Sequence, residues 1–358
     1  MTTHLPGESS ALLDHLPDWW CFRDWHSLEN SIVRIAGTII SKQAIAGAKI
    51  SCKADGASVK FRLTTPSEHS RKTFWFLPES HLRGIEIEYS VTSGTHESLI
   101  EIETSSPGRL SRFPFMQIHD WSTRQPVPPR SNIERVSGAG ATEYNYFCNG
   151  ATDFLRFARA SAANHVDPFA SRTRILDWGA GCGRLTRWFA ERSKGEVVGV
   201  DIDVENLAWC KDNIKGASFK AVGLYPPTDL KTKSFDMVLA NSVLTHLTQS
   251  ALVSWLAEIK RILKPNGVAL LSYHGDFSAA YFLSHWTDAI RRIESDGYFD
   301  EMVGKEMIGV LSDPTYYRQT FMSDRHAFKL FDEAGFHVRD TLVGHVSRCQ
   351  NLAVLRHK

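Results

Sequence analysis

The sequence predicts a doubly wound α/β domain with a mostly parallel, seven-stranded sheet, preceded by a β-sandwich-like domain. Three observations predict it. From Thr173 onward, short apolar runs alternate with amphipathic helical stretches. A glycine-rich turn, Gly179-Ala180-Gly181-Cys182-Gly183, joins the first of those runs to its helix. Before residue 110, apolar residues recur with period two.

In the N-terminal part, residues 32–40 are rich in β-branched side chains. Gly84-Ile85-Glu86-Ile87-Glu88-Tyr89 and Ile100-Glu101-Ile102-Glu103-Thr104 alternate apolar with polar, and the aromatic-rich residues 72–77 are read with them as β. Alternation of this kind buries one strand face and wets the other, as in antiparallel sheets. Ala54-Asp55-Gly56 and Ser93-Gly94-Thr95 are turn signals between the runs. Residues 1–110 are therefore expected to form the β-sandwich-like accessory domain. From Ser105 to Asn132 the pattern dissolves. Pro107, Pro114, Pro126, Pro128 and Pro129 oppose a continuous ladder or helix, so residues 111–135 are expected to be a Pro-rich linker.

The remaining elements follow in order. A helix over 151–163 places Phe154, Phe157 and Ala158 along one side. Strand 174–177 leads into a helix carrying Leu185, Trp188 and Phe189, and strand 196–201 into one containing Leu207, Ala208 and Ile214. Strands at 218–222 and 235–240 precede a helix over 251–263, whose Leu252, Trp255, Leu256, Ile259 and Ile262 form one apolar stripe that reads as core. Strands at 267–273, 336–343 and 350–356 bring the total to seven. Near-continuous apolar strands between amphipathic helices imply a parallel sheet covered on both faces, and such sheets bind ligands at the carboxyl ends of their strands. This domain is expected to span 136–358, with 276–325 inserted as a substrate lid.

At 358 residues the chain is long enough for two domains. Its formal net charge of +1 gives no global case for nucleic-acid partners. The cysteines Cys21, Cys52, Cys148, Cys182, Cys210 and Cys349 are scattered, without C-x-x-C pairs or histidines at zinc spacing, so free thiols and no metal site are expected. The N-terminus lacks a basic start and an apolar core of the signal-peptide kind, and no run of about 18 apolar residues stands anywhere in the chain. A cytoplasmic enzyme is the expectation.

The decisive stretch is Asp177-Trp178-Gly179-Ala180-Gly181-Cys182-Gly183-Arg184. Glycines at alternate positions let the backbone turn sharply and approach a ligand with no Cβ between. A dinucleotide site would read G-x-G-x-x-G, with pyrophosphate on the helix end. Here the spacing is G-x-G-x-G, Arg184 stands where the third dinucleotide glycine belongs, and an acid precedes the loop. That carboxylate suits the ammonium of an amino-acid group. The second strand ends at Asp201, whose carboxylate can accept both hydroxyls of a ribose. A ligand with a ribose and an amino-acid tail but no phosphate is S-adenosylmethionine.

In these residues the chain resembles the class I S-adenosylmethionine-dependent methyltransferases, with their Rossmann-like fold. Residues 175–184 look like the family's glycine-rich first motif, and Gly199-Val200-Asp201-Ile202-Asp203 like its acidic second-strand motif. Residues 234–238 look like the fourth strand and 242–247 like the segment after it. Leu263-Lys264-Pro265-Asn266-Gly267 is similar to the family's K-P-G-G turn, with Asn266 in place of a glycine. The resemblance covers roughly 140–275 and implies specific roles. Asp177, Gly179, Gly181 and Gly183 would hold the methionine end, and Asp201 the ribose. Ile202 would pack on the adenine, and Gly223 and Leu224 would sit at its edge. Asn241 and Ser242 would approach the sulfonium. The acidic residue often found near the adenine is replaced here by Val222-Gly223-Leu224.

Asp203 reads as a helix N-cap. His246, shortly after the fourth strand, and His274, at the end of the fifth, are the candidate general bases, since an unperturbed imidazole titrates near pH 6.5. A structural role is the competing reading of each. Tyr316, Tyr317, Arg318 and Gln350 are candidates for the acceptor pocket. Methyl transfer is an in-line displacement, so the protein must mainly align and desolvate the nucleophile. Ala240-Asn241-Ser242-Val243 stands where an N-P-P-Y motif would mark amide-nitrogen methylation. O-methylation of a sugar, glycan or small-molecule acceptor is the leading expectation. A non-catalytic cofactor-binding protein, or a glycan-binding module on a degenerate enzyme, is the alternative; a nicotinamide-dependent oxidoreductase is disfavoured by the glycine spacing.

Overall fold

The computed structural model describes residues 12–45, 48–92, 97–106, 109–118, 125–304, 307, 309–313, 315–347 and 349–358. The chain divides into two compact units. One comprises residues 1–121 and 279–290, the other residues 122–278 and 291–358.

The first unit contains β1 (Trp19–Glu29), β2 (Ile32–Ser41), β3 (Lys49–Ala54), β4 (Ala57–Ser58), β5 (Lys60–Thr64), α1 (Glu68–Thr73), β6 (Leu82–Ser90), β7 (Glu97–Ser106) and β8 (Arg109–Ile118). They form two four-stranded sheets, ordered β1-β2-β6-β5 and β4-β3-β7-β8, with every pairing antiparallel. The period-two reading holds. Ile85, Ile87 and Tyr89 of β6 point into a core that both sheets share with Val33, Ile35, Cys52, Ile100 and Ile102. On the wet side, Glu88 pairs with Arg34 at 2.9 Å. The Asp55-Gly56 turn joins β3 to β4 with φ of 49° and 83°, the positive pair a tight hairpin turn needs. The turn expected at residues 93–95 lies outside the described residues, as does Pro107.

Two expectations for this unit fail. Residues 72–77 are not a strand: α1 starts at Ser67, whose hydroxyl accepts from the Ser70 N–H, and ends in a turn that buries Phe74 and Phe76. The expected linker begins too early. Pro114 sits inside β8 opposite Glu101, and the ladder tolerates it because β8 is the outermost strand of its sheet. A helix also occupies part of that stretch.

The second unit opens with that helix, α2 (Arg130–Ser137), followed by α3 (Glu143–Ala163). Then come β9 (Arg174–Trp178), α4 (Thr186–Arg192), β10 (Glu196–Asp201), α5 (Val204–Asn213), β11 (Ser218–Ala221), β12 (Phe235–Ala240), α6 (Gln249–Ile262) and β13 (Leu263–Tyr273). Next are α7 (Asp276–Leu283) and α8 (Thr287–Asp296), whose residues 279–290 are counted with the first unit, and then β14 (Tyr298–Val303), β15 (Arg318–Met322), α9 (Asp324–Glu333), β16 (Phe336–Val346) and β17 (Gln350–His357). The main sheet has seven strands in the order β11-β10-β9-β12-β13-β17-β16. Pairing is parallel from β11 to β13; β17 runs antiparallel to both its neighbours. Strand order reverses between β9 and β12, so their carboxyl ends open a crevice there. The expected stripe Leu252, Trp255, Leu256, Ile259 and Ile262 is buried against the sheet, each such side chain contributing roughly 1.5–3 kcal/mol. The 276–325 segment is not one lid. Residues 279–290 belong to the first unit, while β14 and β15 form a two-stranded antiparallel sheet in the second. None of the six cysteines, all among the described residues, forms a disulfide, and no described helix is long and apolar enough to cross a membrane.

Candidate active site

The glycine loop leaves β9 and folds back over the end of β10. The Gly179 and Ala180 N–H groups both donate to the Val200 carbonyl, at 2.8 and 3.0 Å. Gly179, Gly181 and Gly183 have φ of 79°, 53° and 77°. Space is as restrictive as torsion: a Cβ on Gly179 would stand 2.2 Å from Val243 Cγ2, and one on Gly183 2.1 Å from Ile214 Cδ1.

Two carboxylates flank this loop. Asp201, 9% exposed at the end of β10, accepts the Gly181 N–H on Oδ2 at 2.7 Å and the Asp203 N–H on Oδ1 at 2.8 Å. A carboxylate has about four acceptor sites, so Asp201 keeps capacity for a further donor. Burial pushes the Asp201 carboxyl up to about 6 against the pull of those N–H groups. Asp177, 2% exposed on β9, accepts from Thr186 Oγ1 at 2.6 Å. Burial raises it to about 7; the Thr186 bond opposes this, and the neighbouring Asp201 charge adds to it. A buried acid poised so high gains from a cation brought against it.

Both acids line one cavity at the strand ends. So do Gly179, Gly181, Ile202, Asn241, Ser242 and His246, eight of the twelve residues expected to bind cofactor or catalyse. Asp203 caps α5, its side chain accepting from the Glu205 and Asn206 N–H groups, and pairs with Arg135 at 2.8 Å. A cap of this kind is worth about 1 kcal/mol. Through that pair, and through Val136 against Gly181, α2 forms part of the cavity wall. At the end of β12, Ser242 adopts φ of 61°, uncommon for a side-chain-bearing residue. It is held by its N–H to Ser272 Oγ at 2.7 Å and by Gln350 Nε2 donating to its hydroxyl at 2.9 Å. His246 stacks on Tyr317 with ring centroids 4.0 Å apart, and its Nδ1 lies 2.8 Å from the Arg318 carbonyl. Tyr316, Tyr317, Trp255 and Met307 complete the wall on that side.

Four expected residues are not in the wall. Gly183 packs against α5, toward Ile214 and Cys210, and has a structural role. Leu224 faces the core, its carbonyl taken by Trp255 Nε1 at 3.0 Å and by the Tyr316 hydroxyl; Gly223 lies outside with it. His274 is corrected as a candidate base. It is 6% exposed, stacks on Phe321 at 4.6 Å and has Nδ1 3.1 Å from the Thr320 carbonyl. Burial presses it down to about 3, so it does not take up a proton near neutral pH. Arg318 and Gln350 serve the cavity indirectly, one through a carbonyl on His246 and the other through Ser242.

Sequence reasoning missed Arg135, Arg184 and Asp153. Arg184 lines the cavity beside Asp177, where its cation suits a carboxylate. Its position directly after the third glycine was a usable signal. Arg135 lay in a stretch read as linker, which hid it. Asp153 interrupts the apolar face of α3, and a lone acid on such a face is the kind of exception that marks a role.

The sequence matches a family profile described as a methyltransferase domain over residues 175–267. It is 33% identical over 179 residues to N-terminal Xaa-Pro-Lys N-methyltransferase 1-B of Xenopus laevis, covering 48% of this chain and 72% of that protein. It is 24% identical over 164 residues to the putative methyltransferase YqeM of Bacillus subtilis, covering 45% of this chain and 64% of that one, less than two thirds of its length. Among solved structures, the 1,6-didemethyltoxoflavin-N1-methyltransferase of Burkholderia thailandensis is 17% identical with a TM-score of 0.39, covering 75% of this chain and 98% of that chain.

Proposed function

Because the chain belongs to the class I S-adenosylmethionine-dependent methyltransferases, we propose that it methylates a hydroxyl oxygen of a sugar, glycan or other small-molecule acceptor, with His246 taking the proton. The observation that carries this reading is the placing of His246 in the same cavity as Asp177 and Asp201, its Nδ1 against a backbone carbonyl. A carbonyl only accepts, so Nδ1 carries the hydrogen and Nε2 is the basic nitrogen of the neutral ring.

When bound, the cofactor supplies a methyl group on a sulfonium that departs as a neutral thioether. In this reading the protein's own residues do the rest. Asp177 takes the ammonium and Arg184 the carboxylate of the amino-acid tail, while the two oxygens of Asp201 take the ribose hydroxyls through the capacity their N–H bonds leave. Ile202 would pack on the adenine, on the side of the cavity that Asp203 and Asn206 also line and Gly223 and Leu224 do not. Asn241 and Ser242 border the reacting centre. His246 would accept the proton of the acceptor hydroxyl on Nε2 as that oxygen takes the methyl group. We read the first unit as a β-sandwich, supported by the core its two sheets share. A cytoplasmic location accords with six cysteines that form no disulfide.

The Xenopus relative's name supports a second reading, in which the acceptor is a protein N-terminal amine. Methyl-labelled cofactor separates the two against a panel of oligosaccharides, hydroxylated small molecules and Xaa-Pro-Lys peptides. Label on oxygen, lost about a hundredfold in His246→Ala with cofactor affinity retained, is the expected result. Label only on peptide amines overturns the oxygen reading.

A further inference from the structure

The geometry points to Asp153, on α3, as a positioning residue for the amino-acid end of the cofactor, acting through Arg184 and Asn241. This rests on the cofactor seat proposed above. Asp153 does not line the cavity; its side chain is 2% exposed, on a helix that buries Ala151, Phe154 and Phe157 nearby. Burying a carboxylate is costly unless partners converge on it, and here they come from four elements. Asn241 Nδ2, just past β12, donates to Oδ2 at 3.2 Å. Ser347, between β16 and β17, donates its N–H to Oδ1 and its hydroxyl to Oδ2, each at 3.1 Å. Arg184, after the glycine loop, brings NH1 to 3.7 Å of Oδ2, and Arg156 on α3 brings NH1 to 3.6 Å of Oδ1.

One oxygen thus gathers Asn241 and Arg184, two cavity-lining residues supplied by different strand ends. The same Ser347 hydroxyl stands 3.1 Å from Asn241 Oδ1, so its one hydrogen is shared between Asp153 and Asn241. A carboxylate used only to seat α3 would not need to reach both. Asp153 balances the Arg184 charge before ligand arrives and holds the guanidinium where the tail carboxylate meets it, so less reorganisation accompanies binding.

The test is calorimetric titration of the full chain with S-adenosylhomocysteine and with methylthioadenosine, which keeps the adenosine and sulfur but lacks the tail. Asp153→Asn is expected to weaken S-adenosylhomocysteine about tenfold and to leave methylthioadenosine within about twofold. Ser347→Ala removes the hydroxyl shared by Asp153 and Asn241 and carries the test should Asp153→Asn not fold; the same bias is expected at about threefold. Equal weakening of both ligands, or no weakening of either, overturns the proposal. Arg184→Gln tells the two readings apart. If it binds S-adenosylhomocysteine as the wild type does, the seat itself is wrong. A tail-specific loss in Arg184→Gln with none in Asp153→Asn overturns the positioning role alone.

Discussion

Two histidines at strand ends show what residue position alone conveys and what it omits. His246 lines the cavity, whereas His274 is packed under Phe321. His274→Gln is expected to keep methyl transfer within a few-fold of wild type and to lower stability by about 1–3 kcal/mol, read from a urea melt beside a turnover assay. A hundredfold loss of turnover without loss of stability would restore it as a base. Asp201→Ala is expected to weaken S-adenosylhomocysteine at least about tenfold by calorimetry, since it removes the buried carboxylate proposed to accept the two ribose hydroxyls. The acids of the glycine loop and second strand were legible in the sequence because their chemistry is local: a carboxylate at a strand end beside a turn. Gly223 and Leu224 were misplaced because β11 ends at Ala221, and the chain after it turns its carbonyl to Trp255 and Tyr316. Those partners lie far along the chain, beyond any local pattern.

Among the elements, those that repeat with a strict period were legible and those fixed by remote contacts were not. The stripe on α6 and the alternation of β6 were read correctly because burial imposes the period. Pro114 misled because a proline reports a missing donor, not whether the strand carrying it stands at a sheet edge. The α2 helix, which overlaps the end of the expected linker, is held by long-range pairs: Arg135 with Asp203, and Asn132 Nδ2 on Asn206 Oδ1 at 2.8 Å. At the glycine loop, Gly183→Ala combines a positive φ with a Cβ pressed onto Ile214. It is expected to destabilise the protein by about 1–3 kcal/mol, measured as a shift in the urea midpoint at unchanged m. An unchanged midpoint would show that α5 gives way freely.

At the scale of the whole molecule, pH is expected to couple cofactor binding to stability. The folded pKa of Asp177 is raised to about 7, so its favourable contribution is full below the unfolded carboxylate value and lost as pH rises through 7. A cationic ammonium set against it reverses that loss. S-adenosylhomocysteine affinity is therefore expected to rise about fivefold from pH 6 to 7 and about a further twofold by pH 8 before levelling off, and Asp177→Asn to flatten the profile. A profile unchanged by that substitution would remove Asp177 from the tail site. The chain also returns to its first unit at residues 279–290, where Tyr281 meets Phe74 at 6.0 Å and His285 stacks on Trp75 at 5.3 Å. The enzyme is thus not two beads on a string, and no single cut frees either bead intact. A fragment starting after the proline-rich stretch would carry a dozen residues shorn of their aromatic neighbours, and the excised N-terminal piece would be missing part of itself. Dissecting the molecule calls for an excision that spares this returning strap, or for co-expression of halves that can re-knit.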